Sequence, residues 1–125
     1  MRNGGSWTEA RYRAFVVGAL RSATRRYPPR NAALKNAFVE QKISKKSNRL
    51  AKHYECAICR KLFTSTDIQI DHIDPVVDPK VGFVSWDVYI SRMYCEADNF
   101  QVLCKPCHKI KTKEERQQKC SVKTT

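Results

Sequence analysis

Two cysteine knuckles, Cys56-x-x-Cys59 and Cys104-x-x-Cys107, enclose an aspartate-histidine pair, Asp71-His72, and an asparagine, Asn99; His108 follows the last cysteine directly. A Cys-x-x-Cys turn places two thiolates ~2.3 Å from one zinc ion without strain, and two such turns complete a tetrahedron. Cys56, Cys59, Cys104 and Cys107 are therefore expected to hold a structural zinc. The 44 residues between the knuckles, 60–103, far exceed the ~15–20 of a simple zinc ribbon. Something structural or functional is inserted there.

The enclosed side chains suit phosphodiester hydrolysis, which needs a base for water and a cation to stabilise crowded negative charge. Asp71 offers a hard oxygen ligand, and His72 a base that works near neutral pH. His108, held by the knuckle, can add a second ligand to the same catalytic ion. Asn99 carries donor and acceptor groups that can fix a loop behind the base. Successive residues of a strand point to opposite faces, so the strand bearing Asp71 and His72 is expected to end or bend there. A lone histidine in a polar run is usually a surface residue, and His53 is read that way. Cys95 and Cys120 are left over as free thiols.

The elements that must position these groups fall into two halves. Ser6 and Glu9 have the spacing of a capping box, which predicts a helix from near Trp7 that stops before Pro28-Pro29. On it Phe15, Val16, Ala19, Leu20 and Ala23 share one arc, and Arg11, Arg21 and Arg25 another. Asn31 is expected to cap a second helix through about Lys42. The basic stretch Ser44 to Arg49 reads as helix or linker. From Tyr54 the elements shorten: a turn or strand at 61–64, a strand at 67–71 and, after Pro75 and Pro79, a helix from Trp86 to about Met93 capped by Ser85. Trp86, Ile90 and Met93 have the spacing of its core face. Phe100-Gln-Val-Leu leads into the second knuckle, and 105–118 reads as an exposed helix.

At 125 residues with a formal charge of +12, the chain suits one compact domain with a modest core, for which a metal cross-link is a plausible source of stability. Residues 1–55 carry thirteen Lys and Arg against three acids, and residues 56–125 eleven against nine. Affinity for a phosphate backbone is thus expected to reside in the front half and the chemistry in the back half. No run is apolar enough for a membrane span and the start lacks a signal-peptide core, so an intracellular setting is expected. Paired two-residue cysteine gaps favour metal over disulfides. No heptad supports an oligomer.

With these motifs in this order, residues 54–115 resemble the HNH endonucleases, most closely the free-standing HNH proteins of bacteriophages. The likeness is carried by Asp71-His72-Ile-Asp-Pro, by Asp98-Asn99-Phe-Gln-Val-Leu-Cys104-Lys-Pro-Cys107-His108 and by the Lys-Ile-Lys-Thr that follows. It implies an α+β chain: a ββα-metal, or His-Me finger, nuclease domain over residues 51–118 braced by a four-cysteine zinc site, preceded by a basic helical DNA-binding extension over 1–50 and followed by a flexible tail over 119–125. It implies His72 as general base, Asp71 and His108 as ligands of a catalytic Mg²⁺ or Mn²⁺, and Asn99 as the residue orienting the loop that bears His72. Some relatives use the asparagine as a metal ligand, which would move His108 outward. The 26 residues between His72 and Asn99 are a longer insertion than compact HNH motifs have. The implied substrate is double-stranded DNA, cut to 5′-phosphate and 3′-hydroxyl ends. A zinc-stabilised DNA-binding module without turnover, and a nuclease acting on RNA, remain the alternatives.

Overall fold

The computed structural model describes residues 2–124, and side chains as far as residue 118. The expected tail at 119–125 and the Cys120 thiol lie outside those side chains. The described residues form a small mixed α+β structure of four α-helices, three single 3-10 turns and two short sheets: α1 (Glu9–Ala23), α2 (Pro28–Asn36), β1 (Phe38–Ile43), β2 (Leu50–Glu55), β3 (Leu62–Thr64), β4 (Ile68–His72), α3 (Trp86–Met93), β5 (Phe100–Cys104) and α4 (Lys105–Thr124). Among the described residues no helix is long and apolar enough to cross a membrane.

Helix α1 is capped two residues later than the capping box suggests. Ser6 is consumed by a turn, its hydroxyl donating to the Asn3 carbonyl at 2.7 Å, and Thr8 instead accepts from the Arg11 N–H at 3.2 Å. The helix also packs on a narrower stripe than expected. Val16, Leu20 and Ala23 are half-buried, whereas Phe15 is 62% exposed and meets the Trp7 ring at a tilt of 56°.

The second predicted helix is corrected at both ends. It begins at Pro28, because proline suits the first helical turn, where its missing N–H is not needed. It stops at Asn36, and Phe38 to Ile43 form a strand instead of continuing it. Tertiary pairing overrides helical propensity here: the Glu55 N–H donates to the Ala37 carbonyl at 2.9 Å, and β1 then pairs antiparallel with β2 from Phe38↔Tyr54 to Ile43↔Leu50. Residues 44–49 are the turn of this hairpin. The first fifty residues are thus not wholly helical, and the boundary at 50/51 runs through a hairpin.

Strands β1-β2-β3 form one sheet, and β4 pairs antiparallel with β5 in another, from Ile68↔Cys104 to His72↔Phe100. Two small core clusters join the parts. Tyr54, Ile68 and Val102 pack with Leu34 and Ala37 of the front half, and Cys56, Leu103 and Cys104 pack with Ala57 and Cys107. Phe63 touches both. Tyr27 and Tyr94 fasten the front half to the insertion: the Tyr27 hydroxyl donates to the Tyr94 carbonyl at 3.0 Å, and the Tyr94 hydroxyl to the Leu20 carbonyl at 2.6 Å.

Candidate active site

The two knuckles meet as the spacing requires. Cys56, Cys59, Cys104 and Cys107 place their sulfurs within 4.8 Å of one another, with Cys59 and Cys104 3.9 Å apart. Sulfurs sharing one tetrahedral ion at ~2.3 Å would lie about 3.8 Å apart, so the group can hold a metal. In the first knuckle the Arg60 N–H donates to the Cys56 carbonyl at 3.0 Å, and Arg60 itself turns the chain at φ +63°. Burial raises the Cys56 thiol, but backbone groups of Cys104, Cys59 and Ile58 outweigh it and bring the pKa down to about 6. The Cys107 thiol goes the other way. Its hydrogen bond with Cys104, then burial and the remaining sulfurs, push it up to about 12. Four crowded sulfurs cannot all ionise unaided, and a shared cation is what relieves that repulsion.

Strand β5 enters the second knuckle and α4 leaves it, so His108 is carried on the first turn of α4, beside β4. Its Nε2 lies 3.9 Å from Asp71 Oδ1. Two ligands held ~2.1 Å from one ion are about 3 to 4 Å apart, depending on the angle between them, so this separation suits a shared cation. Asp71 Oδ2 is sealed from solvent and has no hydrogen bond of good geometry; the Lys111 ammonium approaches it at 2.6 Å. Lys111 also donates to the His72 carbonyl at 2.7 Å and meets Glu115 at 3.0 Å. Burial opposes its charge, but contacts with Asp71 and Glu115 outweigh that and raise its pKa above an ordinary lysine's.

Of the expected end or bend at Asp71 and His72, the strand shows the end: β4 stops at His72. β4 stays paired through His72↔Phe100, and the two side chains find different neighbours, Asp71 on α4 and His72 against the Phe100 ring at 4.6 Å. Both nevertheless line one cleft of about 380 Å³, because the strand ends at His72. His72 Nε2 lies 2.8 Å from the Met93 carbonyl at the end of α3. A carbonyl only accepts, so Nε2 carries the proton and Nδ1 keeps the lone pair in the neutral ring.

Asn99 secures the chain immediately after His72. Its carbonyl accepts from the Ile73 N–H at 2.8 Å, its Oδ1 from the Asp74 N–H at 3.1 Å, and its amide donates to Cys95 Sγ at 3.4 Å. Arg92 of α3 holds the Pro75 carbonyl through Nε and Nη2. The insertion thus folds back on the strand end instead of looping away from it. Its core residues are Tyr89 and Met93, whereas Ile90 is 40% exposed, which corrects the expected stripe.

Four groups were not foreseen as part of this site. Lys111 sits one helical turn beyond His108, a spacing that places both on one face of α4. The Met93 carbonyl is backbone and carries no side-chain signal. Arg21 and Thr24, from the end of α1 and the turn after it, also line the cleft. His53 is corrected as well: it is buried in β2, with Nδ1 2.9 Å from the Ala51 carbonyl. No family model, curated protein or solved structure matches this chain.

Proposed function

We propose that the chain is a divalent-metal-dependent endonuclease of the HNH type that hydrolyses phosphodiester bonds of double-stranded DNA. One observation carries the reading: a histidine with its Nε2 committed to a backbone carbonyl stands beside an aspartate and a second histidine 3.9 Å apart. In this reading β4, β5 and α4 are the ββα unit and the four thiolates hold a structural zinc at its base. His72 Nδ1 takes the proton from the attacking water, and the Met93 carbonyl keeps that nitrogen free. Asp71 and His108 would hold Mg²⁺ or Mn²⁺, which when bound stabilises charge on the phosphate and the leaving oxygen. Asp71 Oδ2 is sealed from solvent and held by the Lys111 ammonium, which leaves Oδ1, facing His108, as the ligand atom in this reading.

Asn99 acts as a positioning residue, since its Oδ1 already serves the Asp74 N–H and is spent as a ligand atom. Lys111 holds the Asp71 carboxylate in place through their ion pair, and Arg21 offers the substrate phosphate a cation at the cleft wall. The net charge of +12 suits a polyanionic substrate.

One contact favours a DNA-binding module without turnover: the Lys111 ammonium already neutralises Asp71. Supercoiled plasmid separates the two. Wild type with Mg²⁺ or Mn²⁺ is expected to yield nicked or linear DNA, and His72→Ala to yield none while keeping its zinc. Equal products from both proteins would refute the nuclease, and absence of product from wild type would favour the binding module.

A further inference from the structure

The β1–β2 hairpin combines features that the fold does not account for. All six residues of β1 are exposed, and the directly opposed pair Ile43 and Leu50 at its end is 60% and 63% exposed. Residues 42–52 hold five cations, Lys42, Lys45, Lys46, Arg49 and Lys52, and no acid. Lys42 and Lys46 reach Glu40 and Asp67, whereas Lys45, Arg49 and Lys52 have no acidic partner among the described residues. The turn between the strands is nonetheless tightly built. The Ser44 N–H donates to the Arg49 carbonyl at 2.9 Å, the Asn48 N–H to the Ser44 carbonyl at 2.8 Å, and Ser44 is buried. The result is a cationic ribbon with a closed turn and an exposed apolar pair at its end.

We propose that this hairpin is a DNA arm that enters the major groove beside the scissile phosphate, its turn cations on the backbone and Ile43 and Leu50 against the base edges. The occupant follows from charge and shape. Five cations without an acid over residues 42–52 repel a second copy of the hairpin, whereas duplex DNA is a polyanion whose major groove admits a two-stranded ribbon. The ion pair of Lys46 with Asp67, at 2.7 Å, ties the turn to the residue preceding β4. From Asp67 the chain runs along β4 to His72, about 17 Å. Arm and base can therefore meet one duplex within a single helical turn of ~34 Å. The inference rests on the DNA reading above and names the element that grips and discriminates.

The test measures binding, not turnover: fluorescence anisotropy of a labelled 30-base-pair DNA duplex with His72→Ala protein, without added Mg²⁺ or Mn²⁺, over a salt series. Neutralising the unpaired turn cations by Lys45→Gln and Arg49→Gln is expected to lower the slope of log affinity against log salt by about 2. The pair Ile43→Thr with Leu50→Thr is expected to keep the slope and weaken DNA binding several-fold, with binding of an RNA duplex unchanged, because the A-form major groove is too narrow for a ribbon. An unaltered slope in the first variant, or equal losses on DNA and RNA in the second, overturns the proposal. Since the base is absent throughout, these outcomes stand whether or not wild type cuts plasmid.

Discussion

Lys111 and Asp71 form a close ion pair, Nζ to Oδ2 at 2.6 Å, in which the same ammonium also donates to the carbonyl of His72. The lysine therefore touches both residues at the end of β4 that the proposed chemistry uses. It also occupies the only close approach to a sealed carboxylate oxygen among the described residues.

Lysine and a divalent ion are expected to compete for Asp71. Lys111→Met removes the ammonium and leaves the carboxylate without its counter-charge, at a cost of roughly 1–3 kcal/mol. The variant should melt earlier than wild type without divalent metal and gain more on addition of Mg²⁺ or Mn²⁺. Differential scanning fluorimetry across a metal titration reads both effects. An equal metal response in the two proteins would show that Lys111 only buttresses the strand.

Asn99 is expected to act on rate more than on binding. Asn99→Ala removes the bond to the exposed Asp74 N–H and frees the chain just after His72, at about 0.5–1 kcal/mol. We expect kcat for nicking to fall about 10- to 100-fold with KM changed little, as a displaced base predicts. If KM rose while kcat held, Asn99 would belong to substrate binding instead.

Much of this geometry was visible in the residues. The knuckles, the Ser85 cap of α3 and the strand that ends at His72 each rest on local chemistry: ligand spacing, a side chain that accepts from Val88 N–H, and short apolar alternation. The strand β1 was not visible, because Glu40, Gln41 and Lys42 suit a helix as well and it is pairing with Leu50 to Tyr54 that decides for a strand. The setting of His72 was hidden for the same reason. Its carbonyl partner lies 21 residues away and belongs to the backbone, so no residue type announces it. The insertion between His72 and Asn99 looked like an interruption, yet it supplies Met93, Arg92 and the wall of the cleft.

Metal removal should separate the two proposed ions. Cys104→Ala, or a strong chelator, is expected to abolish cooperative unfolding, because the buried cluster around Cys56, Leu103 and Cys104 has little else to hold it. His108→Ala should instead retain one zinc per chain and a cooperative melt, while losing metal-dependent nicking. Elemental analysis beside the melts distinguishes these outcomes. Loss of zinc from the His108 variant would place that histidine in the thiolate site.

Arg60 gives a prediction about the knuckle itself. It adopts φ +63° directly after Cys59, a conformation that costs a side-chain-bearing residue ~1 kcal/mol or more and that glycine accepts freely. Its 3.9 Å pairing with Glu55 is exposed on the arginine side and contributes little. Arg60→Gly is therefore expected to raise stability by roughly 0.5–1 kcal/mol, a shift of a few degrees in melting temperature. Arg60→Val, β-branched in the same conformation, should lower stability and weaken zinc retention. Should the glycine variant melt earlier than wild type, the side chain of Arg60 would be doing more for the knuckle than its backbone costs.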